Sequence, residues 1–292
     1  MNTEVEWKQD RSSMKGFSAV LWLAAAGVSL AATDSKKLAI VKLVFAQTED
    51  GPAVPTYDFV PGESVFFSCL VDGYSKSPKE ELSLSYQIEA RDAQGILLQP
   101  ANKGKVDATL APEDKDWRPK LRETIVVPPL ADSGEYQVLV TVKDERNGST
   151  VEARTTFSVQ GRSVAPSDTL VVRDFRFLRS EDDRKPLQVP AYRPGDSLWA
   201  RFLMTGYKMG EGNQFDIEYG VVVLRADGSV AYSEPHAAAM KEHPFYPQRY
   251  QPGVLSLNFP KDQALGQYTI VLTVRVNVSG QTFEQREPFT VE

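Results

Sequence analysis

The sequence predicts an all-β protein built from two tandem β-sandwich domains. Two observations carry this: strict two-residue alternation of apolar and polar residues, and an internal duplication. Leu82, Leu84, Tyr86, Ile88 and Ala90 alternate with Ser83, Ser85, Gln87 and Glu89. That period marks a strand with one face buried. Tyr136, Val138, Val140 and Val142 alternate likewise, as do Tyr268, Ile270, Leu272 and Val274. Asp92-Ala93-Gln94-Gly95, Ala226-Asp227-Gly228, Arg146-Asn147-Gly148 and Ser279-Gly280 punctuate the strands as turns.

The duplication is visible without gaps over long stretches. Pro61-Gly62-Glu63-Ser64-Val65 returns as Pro194-Gly195-Asp196-Ser197-Leu198, Gly73-Tyr74 as Gly206-Tyr207, Tyr86 as Tyr219 and Gly95 as Gly228. Further on, Gly134-Glu135-Tyr136 returns as Gly266-Gln267-Tyr268, and Gly148 as Gly280. A shared register over so many Gly and Tyr positions signals a repeated supersecondary unit. The expected domains are 36–160 and 168–292, joined by a short polar linker at 161–167. Strands at this spacing in domains of this size fit sandwiches. No capped helical pattern of useful length interrupts them; Glu234 to Lys241 would allow a turn or two.

Before the first domain, Phe17 to Ala32 is apolar and rich in small residues, Lys15 precedes it, and Ser29-Leu30-Ala31 fits a small-x-small cleavage site. This reads as a signal peptide over 1–31, with Met14 as an alternative start, and predicts a secreted or periplasmic protein. The run is short for a membrane span, which needs about 20 apolar residues; an uncleaved anchor is the alternative. No membrane span is expected after cleavage. A single cysteine in 292 residues excludes an internal disulfide and a cysteine zinc site, so stability has to come from packing.

The segment Asp132-Ser133-Gly134-Glu135-Tyr136-Gln137-Val138 resembles the immunoglobulin Asp-x-Gly-x-Tyr-x-Cys signature, with Val138 in the cysteine's place. The second copy keeps Gly266 and Tyr268 and has Ala264 for the Asp. The resemblance implies tyrosine corners at Tyr136 and Tyr268, and places Cys69 where the second strand carries its disulfide cysteine; its copy is Phe202. The strand C tryptophan is missing, with Tyr86 and Tyr219 near its place. The lead-ins Phe59-x-Pro-Gly-Glu-Ser-Val and Tyr192-x-Pro-Gly-Asp-Ser-Leu are similar to those of macroglobulin-like bacterial domains. Immunoglobulin-like or fibronectin type III-like sandwiches without the disulfide are therefore implied. That resemblance is informative on fold and silent on activity.

Chemistry is sparse in this chain. No Gly-x-Ser-x-Gly nucleophile motif occurs. The two histidines, His236 and His243, are read as solvated loop residues without an acid at ligand spacing. Acidic runs at Glu113-Asp114-Lys115-Asp116 and Glu181-Asp182-Asp183 lack alternating calcium-ligand spacing and read as solvated loops. No catalytic residue, metal or cofactor is expected. A net charge of −6 argues against nucleic acid as a partner.

One asymmetry separates the copies. Residues 161–292 hold 7 Tyr, 8 Phe and 11 Arg, whereas 36–160 hold 4, 5 and 5. The excess gathers at Tyr192-Arg193-Pro194 and in His243 to Pro252. Aromatic residues and Arg are the side chains enriched in interface cores. Tyr192, Arg193, Phe245, Tyr246, Arg249 and Tyr250 are thus the candidate binding residues, in loops that bind a partner protein. The competing reading is that these aromatics fill the sandwich end or the seam between domains. The function expected is a non-catalytic interaction or structural module. Alternatives are a carbohydrate-binding module using the loop aromatics, and an immunoglobulin-like protease inhibitor.

Overall fold

In the computed structural model, the described residues are 37–54 and 56–292, and the expected signal segment lies outside them. Sixteen strands form two sandwiches of the same design. The first contains β1 (Ala39–Ala46), β2 (Asp58–Phe59), β3 (Ser64–Asp72), β4 (Glu81–Arg91), β5 (Asn102–Thr109), β6 (Lys120–Val126), β7 (Gly134–Asp144) and β8 (Thr150–Val159). The second contains β9 (Val171–Leu178), β10 (Ala191–Tyr192), β11 (Ser197–Thr205), β12 (Phe215–Arg225), β13 (Val230–Glu242), β14 (Tyr250–Asn258), β15 (Gly266–Val276) and β16 (Gln281–Val291).

Each strand of the first sandwich has its counterpart eight strands later. The first pairs a three-stranded sheet, β1-β3-β6, with a five-stranded sheet, β2-β8-β7-β4-β5. The second repeats this as β9-β11-β14 and β10-β16-β15-β12-β13. Neighbours are antiparallel except for the short β2–β8 and β10–β16 pairs, which run parallel. This is the immunoglobulin-like arrangement of two facing sheets with their alternating apolar faces buried between them.

The backbone explains why the duplicated glycines match. Gly62 and Gly195 have φ of 86° and 90°, and Gly73 and Gly206 have 69° and 72°. Side chains are strained in that region and glycine is not, so the same turns demand the same residue. Even the irregularities repeat. A bulge in β1 puts Lys42 at φ 53°, and its counterpart in β9 puts Asp174 at φ 52°.

Both corner tyrosines are buried and hydrogen bonded. The Tyr136 hydroxyl donates to the Asp132 carbonyl at 3.0 Å, and the Tyr268 hydroxyl to the Ala264 carbonyl at 2.7 Å. Cys69 is a free, buried thiol on β3, in the same core as Val138. Burial pushes its pKa up to about 12.

Two local expectations are corrected. Residues 234–241 form no helical turn; they lie within β13, because pairing with β12 overrides the helix preference of Ala237, Ala238 and Ala239. His236 is consequently a strand residue, and it does have an acid beside it: Nδ1 lies 3.2 Å from Glu218 Oε2 across the sheet. Among the described residues, no helix is long and apolar enough to cross a membrane.

Candidate functional site

The structure sends the aromatic loop inward. The loop between β13 and β14 reaches across to the first sandwich, and Tyr246 is buried in that sandwich's hydrophobic cluster. Its hydroxyl donates to Asp92 Oδ2 at 2.9 Å. Arg249 spans two carboxylates, Asp92 and Asp132, each at 3.1 Å, and also donates to Gln94 Oε1 at 2.9 Å. Asp92 is 1% exposed at its side chain, so the guanidinium supplies the charge that burial would otherwise leave uncompensated. The loop is held from its own side by Thr205, which donates to the Arg249 carbonyl at 2.9 Å, and by Tyr207, which donates to the Gln248 carbonyl.

Of the six residues nominated from sequence, four are therefore not free surface. Tyr246 and Arg249 form the seam between the sandwiches, and Tyr250 is buried at the start of β14. Tyr192 is a core residue at the place of Phe59 in the first copy; it is 1% exposed, and its hydroxyl donates to the Leu178 carbonyl at 3.0 Å. Burial raises the pKa of all three tyrosines. Arg193 and Phe245 remain exposed. The counterpart loop of the first copy is exposed over 112–118 and is held from its own sandwich, with Tyr74 donating to the Trp117 carbonyl at 2.6 Å. Much of the aromatic surplus of the second copy thus has a structural cause: its loop must cover another domain.

The arginine surplus has a different location. On the outer face of β9-β11-β14, Arg176 stands directly opposite Arg201, and Arg201 opposite Val254. The same row in the first copy is Val44, Ser68 and Arg122. Two like charges paired across strands cost stability. The first copy avoids that cost and clamps its basic residues, since Asp50 takes both Lys120 and Arg122. This interaction holds the Asp50 carboxyl below its usual range.

In the second copy a cleft of about 400 Å³ opens over this row. Arg162 from the linker and Arg184 from the β9–β10 loop join Arg176 and Arg201 around it, against Asp174 and Asp183. Among the described residues, no carboxylate lies within ion-pair distance of Arg162, Arg184 or Arg201. Arg201 donates to the Glu181 backbone carbonyl, not to a side chain. Asp183 is occupied in its own loop, accepting the backbone N–H groups of Arg179 and Ser180 at 3.0 and 3.1 Å. Arg176 lies 3.5 Å from Asp174, with both side chains about half exposed. A neighbouring hollow shares Asp174 and Leu203 and reaches Arg173, whose Nε is buried without a hydrogen-bond partner.

The sequence signal for this face was the Arg count; what the sequence did not show was which arginines share a row. The chemistry available is anion recognition. Among the described residues, no cluster of His, Cys, Asp and Glu is placed to hold a metal ion.

No protein-family model matches the sequence, and no curated protein matches it. Among solved structures, the chain is similar to the C-terminal domain of the AgI/II polypeptide BspA of Streptococcus agalactiae, at 10% identity and TM-score 0.30, over 88% of this chain and 100% of that one. It is similar also to the C-terminal domain of the antigen I/II-family protein AspA of Streptococcus pyogenes, at 10% identity and TM-score 0.30, over 89% and 100%. A family 123 glycoside hydrolase from Clostridium perfringens matches at 13% identity and TM-score 0.30, over 42% of this chain and 27% of that one. Likenesses this distant say nothing of activity or partner.

Proposed function

We propose that the chain is an exported, non-catalytic interaction module, with domains at 36–160 and 168–292 joined by 161–167, and that it binds a partner protein on the second domain. The observation that carries this reading is the Arg176–Arg201 pair, which sets two like charges opposite each other on adjacent strands and has no equivalent in the first copy. Sites that conflict with local stability rules are where function is expected to have been served instead. The contact surface moves accordingly, from the aromatic loop to the arginine-lined face.

Glycan binding through the loop aromatics is not favoured, since it needs exposed coplanar rings and Tyr192, Tyr246 and Tyr250 are buried. Protease inhibition through the β13–β14 loop needs a free extended segment, and this loop is fastened at Tyr246 and Arg249.

The test is photo-crosslinking in the native host, with the reactive side chain placed at Val254 or at its first-copy counterpart, Arg122. A discrete protein adduct from position 254 and none from 122 is expected. Adducts from neither, or from 122 alone, would overturn the reading. A mature N-terminus at or near Ala32 on native protein checks the export half.

A further inference from the structure

We infer that the arginine cleft of the second sandwich holds an extended acidic segment of the partner protein, with carboxylates on Arg176, Arg201 and Arg184 and apolar side chains on Pro252 and Val254. This rests on the reading that the second domain makes the contact. Charge complementarity selects the occupant: four guanidinium groups from two strands, a linker and a loop converge on a cleft lined by two carboxylates, and of the four only Arg176 has an ion pair among the described residues, with Asp174.

Arginine presents a planar fork of donors that matches a carboxylate in two parallel hydrogen bonds. An acidic side chain entering between Arg176 and Arg201 would also offset two like charges that strand register sets on adjacent strands. The floor has exposed apolar surface at Pro252 and at Val254, which is 40% exposed, and this suits a segment of alternating character over a purely ionic polymer. Phe202, the aromatic residue in the lining, is 2% exposed and directed into the core, so it gives a sugar ring no surface to stack on. Glu181 and Asp182 are exposed in the β9–β10 loop and form no ion pair among the described residues.

The first copy supplies the test variant. It carries Val44 and Ser68 at the places of Arg176 and Arg201, so R176V/R201S installs residues that the same sheet already accommodates. The full chain is titrated with a fluorescent peptide of alternating Glu and Leu, with a Lys and Leu peptide of equal length, and with a sulfated oligosaccharide. The Glu peptide should bind, more weakly as salt rises, and R176V/R201S should weaken it by about tenfold or more. The melting temperature of that variant should be unchanged or raised, because a repulsion has been removed. Equal binding by the variant, equal binding of the Lys peptide, or tighter binding of the oligosaccharide would overturn the inference. Should crosslinking at position 254 yield a partner while the Glu peptide fails to bind, the acidic segment is wrong and the interaction module stands.

Discussion

Phe202 and Gly253 are cross-strand partners on β11 and β14, and the ring of Phe202 fills the space that a Gly253 side chain would occupy. The first copy solves the same position the other way, with Cys69 opposite Leu121 on β3 and β6. One copy pairs a large ring with no side chain, and the other pairs a small thiol with a leucine. Core volume is conserved across the pair while neither residue is, as close packing requires.

Exchanging these pairs should therefore succeed only as a unit. Gly253→Ala forces a Cβ into the Phe202 ring and should cost about 1–3 kcal/mol. Phe202→Cys leaves a cavity and should cost about 3 kcal/mol. The double variant F202C/G253L should recover most of the combined loss. Denaturant midpoints measure all three, and simple additivity of the single losses would refute the compensation.

Loss of the Arg249 guanidinium should loosen the seam. Breaking a buried ion pair costs about 3–5 kcal/mol. Here Arg249 is 35% exposed, and Asp92 keeps backbone N–H bonds from Gln94 and Ile96, so about 2 kcal/mol is expected for Arg249→Met. Calorimetry should resolve the two sandwiches as more separate transitions in that variant. Adding Asp92→Asn should return part of the loss by removing the stranded charge. An Arg249→Met trace superimposable on wild type would mean that the ion pair contributes nothing to coupling.

The tyrosine corners should be worth about 1 kcal/mol each, the size of one buried hydrogen bond. Tyr136→Phe should lower the first sandwich's stability and Tyr268→Phe the second's. Tyr268 also accepts from Gln263 Nε2 at 2.7 Å, so its variant leaves that amide without its partner as well. Hydrogen exchange read domain by domain distinguishes the two effects.

The buried thiol sets an alkaline limit. The folded-state pKa of Cys69, about 12, lies above the unfolded value, so the folded state holds its proton more tightly. The corresponding stability is complete below the ordinary cysteine pKa and is lost as pH rises toward about 12. Tyr207, pushed up to about 12 by burial, adds to the same decline. Cys69→Val should flatten part of that limb in stability measured against pH. At neutral pH the native thiol should resist labelling until denaturant exposes it; fast labelling of the native protein would contradict its burial.

How much was legible in the sequence follows from the range of each signal. Alternation over Leu82 to Ala90 reports which face of a strand is apolar, and facing sheets are how such faces are buried. The repeated glycines mark turns because positive φ is a property of the residue itself. The duplication and the strands were thus written in local chemistry, and the corner tyrosines came from the resemblance of Asp132 to Val138 to the immunoglobulin signature.

Three features were decided only by the tertiary structure. The β13–β14 loop is aromatic whether it faces a partner or a neighbouring domain, and only the position of Asp92 and Asp132 makes Tyr246 and Arg249 a seam. Ala238 and Ala239 take strand geometry because β12 offers them backbone partners. Arg176 and Arg201 are 25 positions apart in the chain, and nothing local says that they share a row. Strand register sets the two residues opposite each other, and a shift of one residue would turn either side chain to the opposite face of the sheet. Short-range periodicity and backbone preference set the scaffold and its repetition. Which surfaces were covered and which charges were left without partners depended on long-range register, which no local pattern encodes.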